Sequence, residues 1–142
     1  MRENPTIAII GLGYVGLPLA VAFAEKYKVI GFDINEERVG QLNEGDDRTL
    51  EVTSEELKKA LNDQENGIQI TCDPQLMSEA SVYIVTVPTP TNKYNQPVLI
   101  PLQKASETVG KIMKENDVVI YESRSNGRYL CTYSRAVFWT YI

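Results

Sequence analysis

The stretch Ile7–Asp33, IAIIGLGYVGLPLAVAFAEKYKVIGFD, decides the fold. An apolar, β-branched run (Ile7–Ile10) reads as a strand and meets Gly11-Leu12-Gly13-Tyr14-Val15-Gly16. A helical stretch to about Glu25 follows, then a second strand, Val29–Phe32, that ends on Asp33. In this strand–turn–helix–strand setting each glycine has a mechanical task. Gly11 permits the tight turn, Gly13 lets backbone approach a pyrophosphate, and Gly16 lets the helix pack closely on the strand. The helix start presents N–H groups to phosphates. Asp33, on the next strand's end, suits an adenosine ribose and repels a 2′-phosphate, which favours NAD over NADP. A glycine-rich turn without a ligand, followed by a solvated acid, is the plainer reading of the same residues.

Outward from this unit, strand and helix alternate, which predicts a Rossmann-type α/β fold: a doubly wound, mostly parallel sheet with helices on both faces. Asn35 is a candidate cap for a helix over Glu36–Leu42 closed by Gly45, and Thr53 with Glu56 forms a capping box for a helix to about Leu61. Ile68–Thr71 reads as a third strand, and Asp73-Pro74 heads a short helix. Ser81–Val87 reads as a fully buried strand, Pro88–Pro101 as a loop, Leu102–Glu115 as a helix and Asp117–Tyr121 as a further strand.

Two further places draw attention as ligand contacts. Thr86-Val87-Pro88-Thr89-Pro90-Thr91-Asn92 ends a buried strand, with Val87–Thr91 as the candidate contacts, and ligands in such sheets lie beyond the strands' carboxyl ends. This stiff, hydroxyl-bearing loop can wall a cofactor, or serve only as a proline-stiffened turn. Arg38, on the first turn of the helix after Asp33, can lie over an adenine or reach a phosphate, or be an ordinary surface arginine.

Bulk properties narrow the class. A chain of 142 residues suits one domain, and 43% hydrophobic with 23% charged residues is an ordinary globular composition. A net charge of −5 argues against nucleic acid or an anionic membrane as partner. No apolar run approaches a membrane span, and MRENPT leads straight into a strand. Two cysteines, Cys72 and Cys131, make neither a disulfide framework nor a metal site, so a cytoplasmic location is expected. With no histidine, the commonest general base and metal ligand are missing. No residue of this chain is singled out as catalytic.

Taken together, IAIIGLGYVGLPLA, GFDIN with Arg38, TVPTPTN and ASETVGKIMKENDVVIYES resemble the UDP-glucose/GDP-mannose dehydrogenase family, in particular the bacterial branch acting on UDP-N-acetylhexosamines. The resemblance spans Thr6–Ser123. It implies an NAD-binding domain of a larger, homodimeric or higher enzyme that also has a UDP-sugar domain. That enzyme takes a sugar C6 alcohol to a carboxylate with two NAD⁺, through a cysteine outside this chain. By the same resemblance Gly11, Leu12, Gly13, Tyr14, Val15 and Gly16 hold the pyrophosphate. Asp33 and Arg38 hold the adenosine side, Val87, Pro88, Thr89, Pro90 and Thr91 line the cofactor, and Ser123 begins the nicotinamide-side loop. Cys72 does not match the family's cysteine and reads as a small buried residue at a strand end.

The pattern breaks after Ser123, where the family continues Thr-Val-x-Pro-Gly. Residues 124–142 instead carry three arginines, five aromatics and no acid. Codons allowed for this stretch also permit, one nucleotide out of frame, a segment similar to the family's continuation. The expectation is a domain at 1–123 followed by a frameshifted tail at 124–142, inactive alone even if it binds NAD. Two alternatives are a non-catalytic NAD-sensing module and another Rossmann dehydrogenase.

Overall fold

The structure, a computed structural model, describes residues 4–122 and 139–140. Its sheet has the order β3-β2-β1-β4-β5-β6, with every pair parallel. The strands are β1 (Ile7–Ile10), β2 (Val29–Phe32), β3 (Ile68–Thr71), β4 (Val82–Val85), β5 (Val118–Tyr121) and the two-residue β6 (Trp139–Thr140). The helices are α1 (Gly16–Ala24), α2 (Glu36–Asn43), α3 (Ser54–Asn62) and α4 (Ile100–Ile112). The expected doubly wound α/β fold is therefore present.

The strands are nearly all apolar because both faces are covered, and alternate residues divide between two cores. Ile7 and Ile9 join Val29, Ile68, Ile70 and Ile84 against Leu17 and Ala20 of α1 and Leu57 of α3. Ala8 and Ile10 join Ile30, Phe32, Tyr83 and Val85 against Leu102, Ala105 and Val109 of α4. Tyr83 is wholly buried, and its hydroxyl donates to Met77 O at 3.0 Å, which satisfies the one polar atom it brings into that core.

Local signals act as read. Arg38 N donates to Asn35 Oδ1 at 3.1 Å, and Thr53 and Glu56 form the complete capping box. Three expectations change. The short helix after Asp73 is a 3-10 helix, Pro74–Glu79, the form common in short connectors, and it lies within the ten residues 72–81 that join β3 to β4. The α4 helix starts at Ile100, two residues earlier than read, because Pro101 fits the first helical turn and does not end the loop, and it ends at Ile112 rather than Glu115 because Met113 is already extended. Cys72 is exposed, not buried: β3 ends at Thr71, and the chain has already left the sheet.

Candidate functional site

The strand order reverses between β1 and β4, so their carboxyl ends open a crevice. The glycine-rich turn fills one side of it. Gly11 adopts φ +97°, and a Cβ there would lie 3.1 Å from Val87 N. That combination admits only glycine. A Cβ on Gly16 would collide with Gly11 O, whereas one on Gly13 would meet nothing within 4 Å. Gly16 is thus required by packing of the protein on itself, while Gly13 faces open space where a ligand can approach. Tyr14 and Val15 are exposed beside it.

The backbone of Leu12 is held from two directions. Its N–H donates to Asp33 Oδ2 at 2.9 Å, and its carbonyl accepts from Arg38 Nε at 3.1 Å and Nη2 at 2.9 Å. Asp33 Oδ1 also accepts from Asn35 N at 3.0 Å. A carboxylate has about four acceptor positions, so Asp33 retains capacity for a ribose diol.

Arg38 is not the ordinary surface arginine that is the plainer reading of its position. It is 3% exposed and forms a 2.8 Å ion pair with Asp47. Its Nη1 is buried without a protein partner. Asp47, which the sequence reading passed over, also accepts from Thr49 N and Oγ1, Glu51 N and Val52 N. Burial pushes the Asp47 carboxyl up, but bonds from Thr49, Arg38 and Val52 outweigh it and hold the group well below the usual carboxylate range. The signal for this turn was Asp47-Arg48-Thr49, an acid two residues before a hydroxyl, the pattern of an Asx turn.

The start of α1 is bare. No side chain caps it, and its first turn has no acid. The starts of α2 and α3 are instead satisfied by Asn35 and Thr53 and carry Glu36, Glu37, Glu55 and Glu56. Among these three, α1 alone starts with neither a side-chain cap nor an acid; Leu17 N donates to Gly13 O at 3.2 Å and Pro18 carries no N–H, so Gly16 N is what its own first turn offers an anion. The uncapped start of α1, room at Gly13 and spare acceptors on Asp33 together fit a dinucleotide.

Across the crevice, Val87 and Thr89 are half-buried, and Pro88, Pro90 and Thr91 are exposed. The loop then makes a small excursion closed by a Thr91–Pro97 bridge and by Val98 N donating to Pro90 O at 2.7 Å. Gly11–Gly16, Asp33 and Val87–Thr91 are thus gathered at the ends of β1, β2 and β4. Ser123 lies outside the described residues. A depression lined by Lys28, Asn43, Asp63 and Gln69 lies at the amino ends of β2 and β3, away from this crevice. Among the described residues no group of acids and cysteines is arranged to hold a metal.

Residues 5–128 match the UDP-glucose/GDP-mannose dehydrogenase family, NAD binding domain. Over 117 residues the chain is 51% identical to UDP-N-acetyl-D-glucosamine 6-dehydrogenase of Pseudomonas aeruginosa, covering 82% of this chain and 26% of that protein. It is 37% identical over 123 residues to UDP-N-acetyl-D-mannosamine dehydrogenase of Yersinia pestis, covering 84% of this chain and 28% of that one. The solved UDP-D-ManNAc dehydrogenase of Pyrococcus horikoshii superposes with a TM-score of 0.77 at 34% identity, over 83% of this chain and 28% of its own. The chain spans about a quarter of the length of the curated relatives it matches.

Proposed function

The chain belongs to the UDP-glucose/GDP-mannose dehydrogenase family, as its NAD-binding domain, and on that premise we propose that it serves a nucleotide-sugar 6-dehydrogenase. The reaction is oxidation of the C6 alcohol of a UDP-N-acetylhexosamine to a carboxylate. The 51% identity to an enzyme named for the 6-oxidation of UDP-N-acetyl-D-glucosamine supports the substrate class. Alcohol to carboxylate is a four-electron change, so two NAD⁺ are consumed per sugar. NAD supplies the electron acceptor when bound.

The residues of this chain bind and orient. In this reading the bare start of α1 and the open face of Gly13 receive the pyrophosphate, with Leu12, Tyr14 and Val15 shaping the turn. Asp33 accepts from the ribose hydroxyls, and its charge repels a 2′-phosphate. Arg38 acts from behind the turn by holding Leu12 O, with Nη1 remaining for the adenosine side. Val87–Thr91 forms the opposite wall, and Ser123 opens the nicotinamide side. The UDP-sugar contacts and the cysteine nucleophile belong to the three-quarters of the relatives' length that this chain does not match. The 142 residues alone therefore bind NAD without turning over. A cytoplasmic location and a homo-oligomeric full-length enzyme are part of the same proposal.

The observation that carries the cofactor reading is the 2.9 Å bond from Leu12 N to Asp33, which locks turn and ribose acceptor into one unit at the crevice. Calorimetry of NAD⁺ with the purified chain and with Asp33→Ala tests it. Saturable binding that weakens at least tenfold in the variant is expected, since hydrogen bonds to a charged group contribute about 1.5–3 kcal/mol. Equal affinity in both chains would overturn the assignment of Asp33.

A further inference from the structure

The glycine turn has a long-range partner outside the glycine signature. Thr86, one residue beyond β4, is 8% exposed, and its hydroxyl points back at β1. Oγ1 lies 2.7 Å from Gly11 O and 3.0 Å from Ile10 O, and Thr86 N donates to Ile10 O at 2.9 Å. A Cβ on Gly16 would approach the same Oγ1 to 2.5 Å. One hydroxyl therefore meets the first glycine through its carbonyl and the third through the space that its missing Cβ leaves. The next residue, Val87, has its backbone N 3.1 Å from where a Cβ on Gly11 would lie, and it opens the proline-rich wall.

We propose that Thr86 is a positioning residue of the dinucleotide site, a fourth element of the glycine signature supplied from the other side of the sheet's switch point. The chemistry calls for a hydroxyl there. Gly11 O lies past the end of the β1 ladder and faces Gly16 at the start of α1, whose next amide, Leu17 N, donates to Gly13 O instead. A donor on β4 satisfies this carbonyl and sets the height of the turn. That height decides how close Gly13 and Gly16 N come to a pyrophosphate. Valine has the same shape, but it puts a methyl where the oxygen sits 2.7 Å from Gly11 O, well inside carbon–oxygen contact distance, so the turn must lift. Serine keeps the oxygen and loses only the methyl.

The inference rests on the cofactor reading above, and its test separates the two. NAD⁺ and ADP-ribose are titrated calorimetrically into wild type, Thr86→Val and Thr86→Ser. In parallel, amide hydrogen exchange of Gly11–Leu17 is followed without ligand, and thermal midpoints are recorded for all three chains. Thr86→Val is expected to weaken both ligands about tenfold and to speed exchange at the turn. Thr86→Ser is expected to keep near-wild-type affinity and exchange even where its midpoint drops. Weakening that follows the midpoint in both variants would make Thr86 merely structural and overturn the proposal. So would unchanged exchange in a folded Thr86→Val. If the wild type itself fails to bind NAD⁺, the cofactor reading fails, and the exchange comparison still decides whether Thr86 positions the turn. Should Thr86→Val not fold, loss of affinity in a folded Thr86→Ser would overturn the proposal.

Discussion

The two walls of the crevice are built in opposite ways. The glycine turn is held from a distance: Asp33 and Arg38 grip Leu12 from 21 and 26 residues away, and Thr86 grips Gly11 from 75. The wall after β4 is held largely by itself. Asn92 Oδ1 accepts from Tyr94 N at 2.9 Å and Gln96 N at 3.1 Å, Asn92 N donates to Gln96 O at 2.9 Å, and Asn95 takes φ +57° to close the excursion. A turn held by the fold transmits to stability every substitution at a position the fold itself contacts, which leaves out Gly13. A wall held by short-range bonds confines the damage to itself. Ligand affinity and stability should therefore separate on one wall and fall together on the other.

The largest effect should come from Asp47, which anchors Arg38 and so the Leu12 carbonyl. Asp47→Ala leaves the guanidinium buried and unpaired, which costs about 3–5 kcal/mol. Chemical denaturation should report that loss at neutral pH, and NAD⁺ affinity should fall with it. The acid dependence has a definite sign. A carboxyl held below its ordinary value stabilises the fold above the unfolded value near ~4 and loses that contribution as pH falls through its depressed native value. Asp47→Asn should accordingly flatten the acid limb of the stability profile, and an unchanged limb would remove Asp47 from the account.

Gly16→Ala comes next. Its methyl would overlap Gly11 O, and overpacking of that kind costs about 1–3 kcal/mol. Binding and thermal midpoint should drop together. Gly13→Ala, by contrast, has space in the free protein, so only ligand affinity should suffer.

The smallest effect sharpens the comparison from the other wall. Asn92→Ala removes the acceptor that closes the excursion, at an exposed position where such bonds contribute about 0.5–1.5 kcal/mol. The thermal midpoint should hardly move, and NAD⁺ should weaken by about threefold or less. A large drop in midpoint would show that this wall, too, is held by the fold.

Much of this architecture is legible in the amino-acid sequence. Strands β1, β2 and β3 start and end at the residues read from the sequence: β1 and β2 because burial on both faces leaves no room for polar interruption, β3 although the edge position lets Gln69 face solvent. The Asn35 and Thr53 caps are local chemistry within three residues and needed no tertiary context. Cys72 was misread because burial was inferred from nearness to β3, and exposure depends on where the chain turns away after Thr71. Arg38 was visible as a residue of interest, but not its partner, since nothing in a list of residues joins position 38 to position 47 across a helix and a turn. Thr86 belongs by sequence to the end of a buried strand and to the hydroxyl-bearing loop Thr86–Asn92, but that its hydroxyl turns back to Gly11 O is visible only once β4 lies beside β1.

What the sequence determined alone is whatever depends on neighbours along the chain: strand periodicity, caps, and the glycine that the tight turn needs at 11. These follow from dihedral freedom and short-range hydrogen bonding, which the chain carries wherever it goes. Only the tertiary structure decided which groups grip the turn, because Asp33, Asp47 and Thr86 reach it through pairings of separate strands and loops. The Rossmann order brings those ends to one crevice. There, buried polar groups must find partners at whatever distance along the chain the fold supplies them.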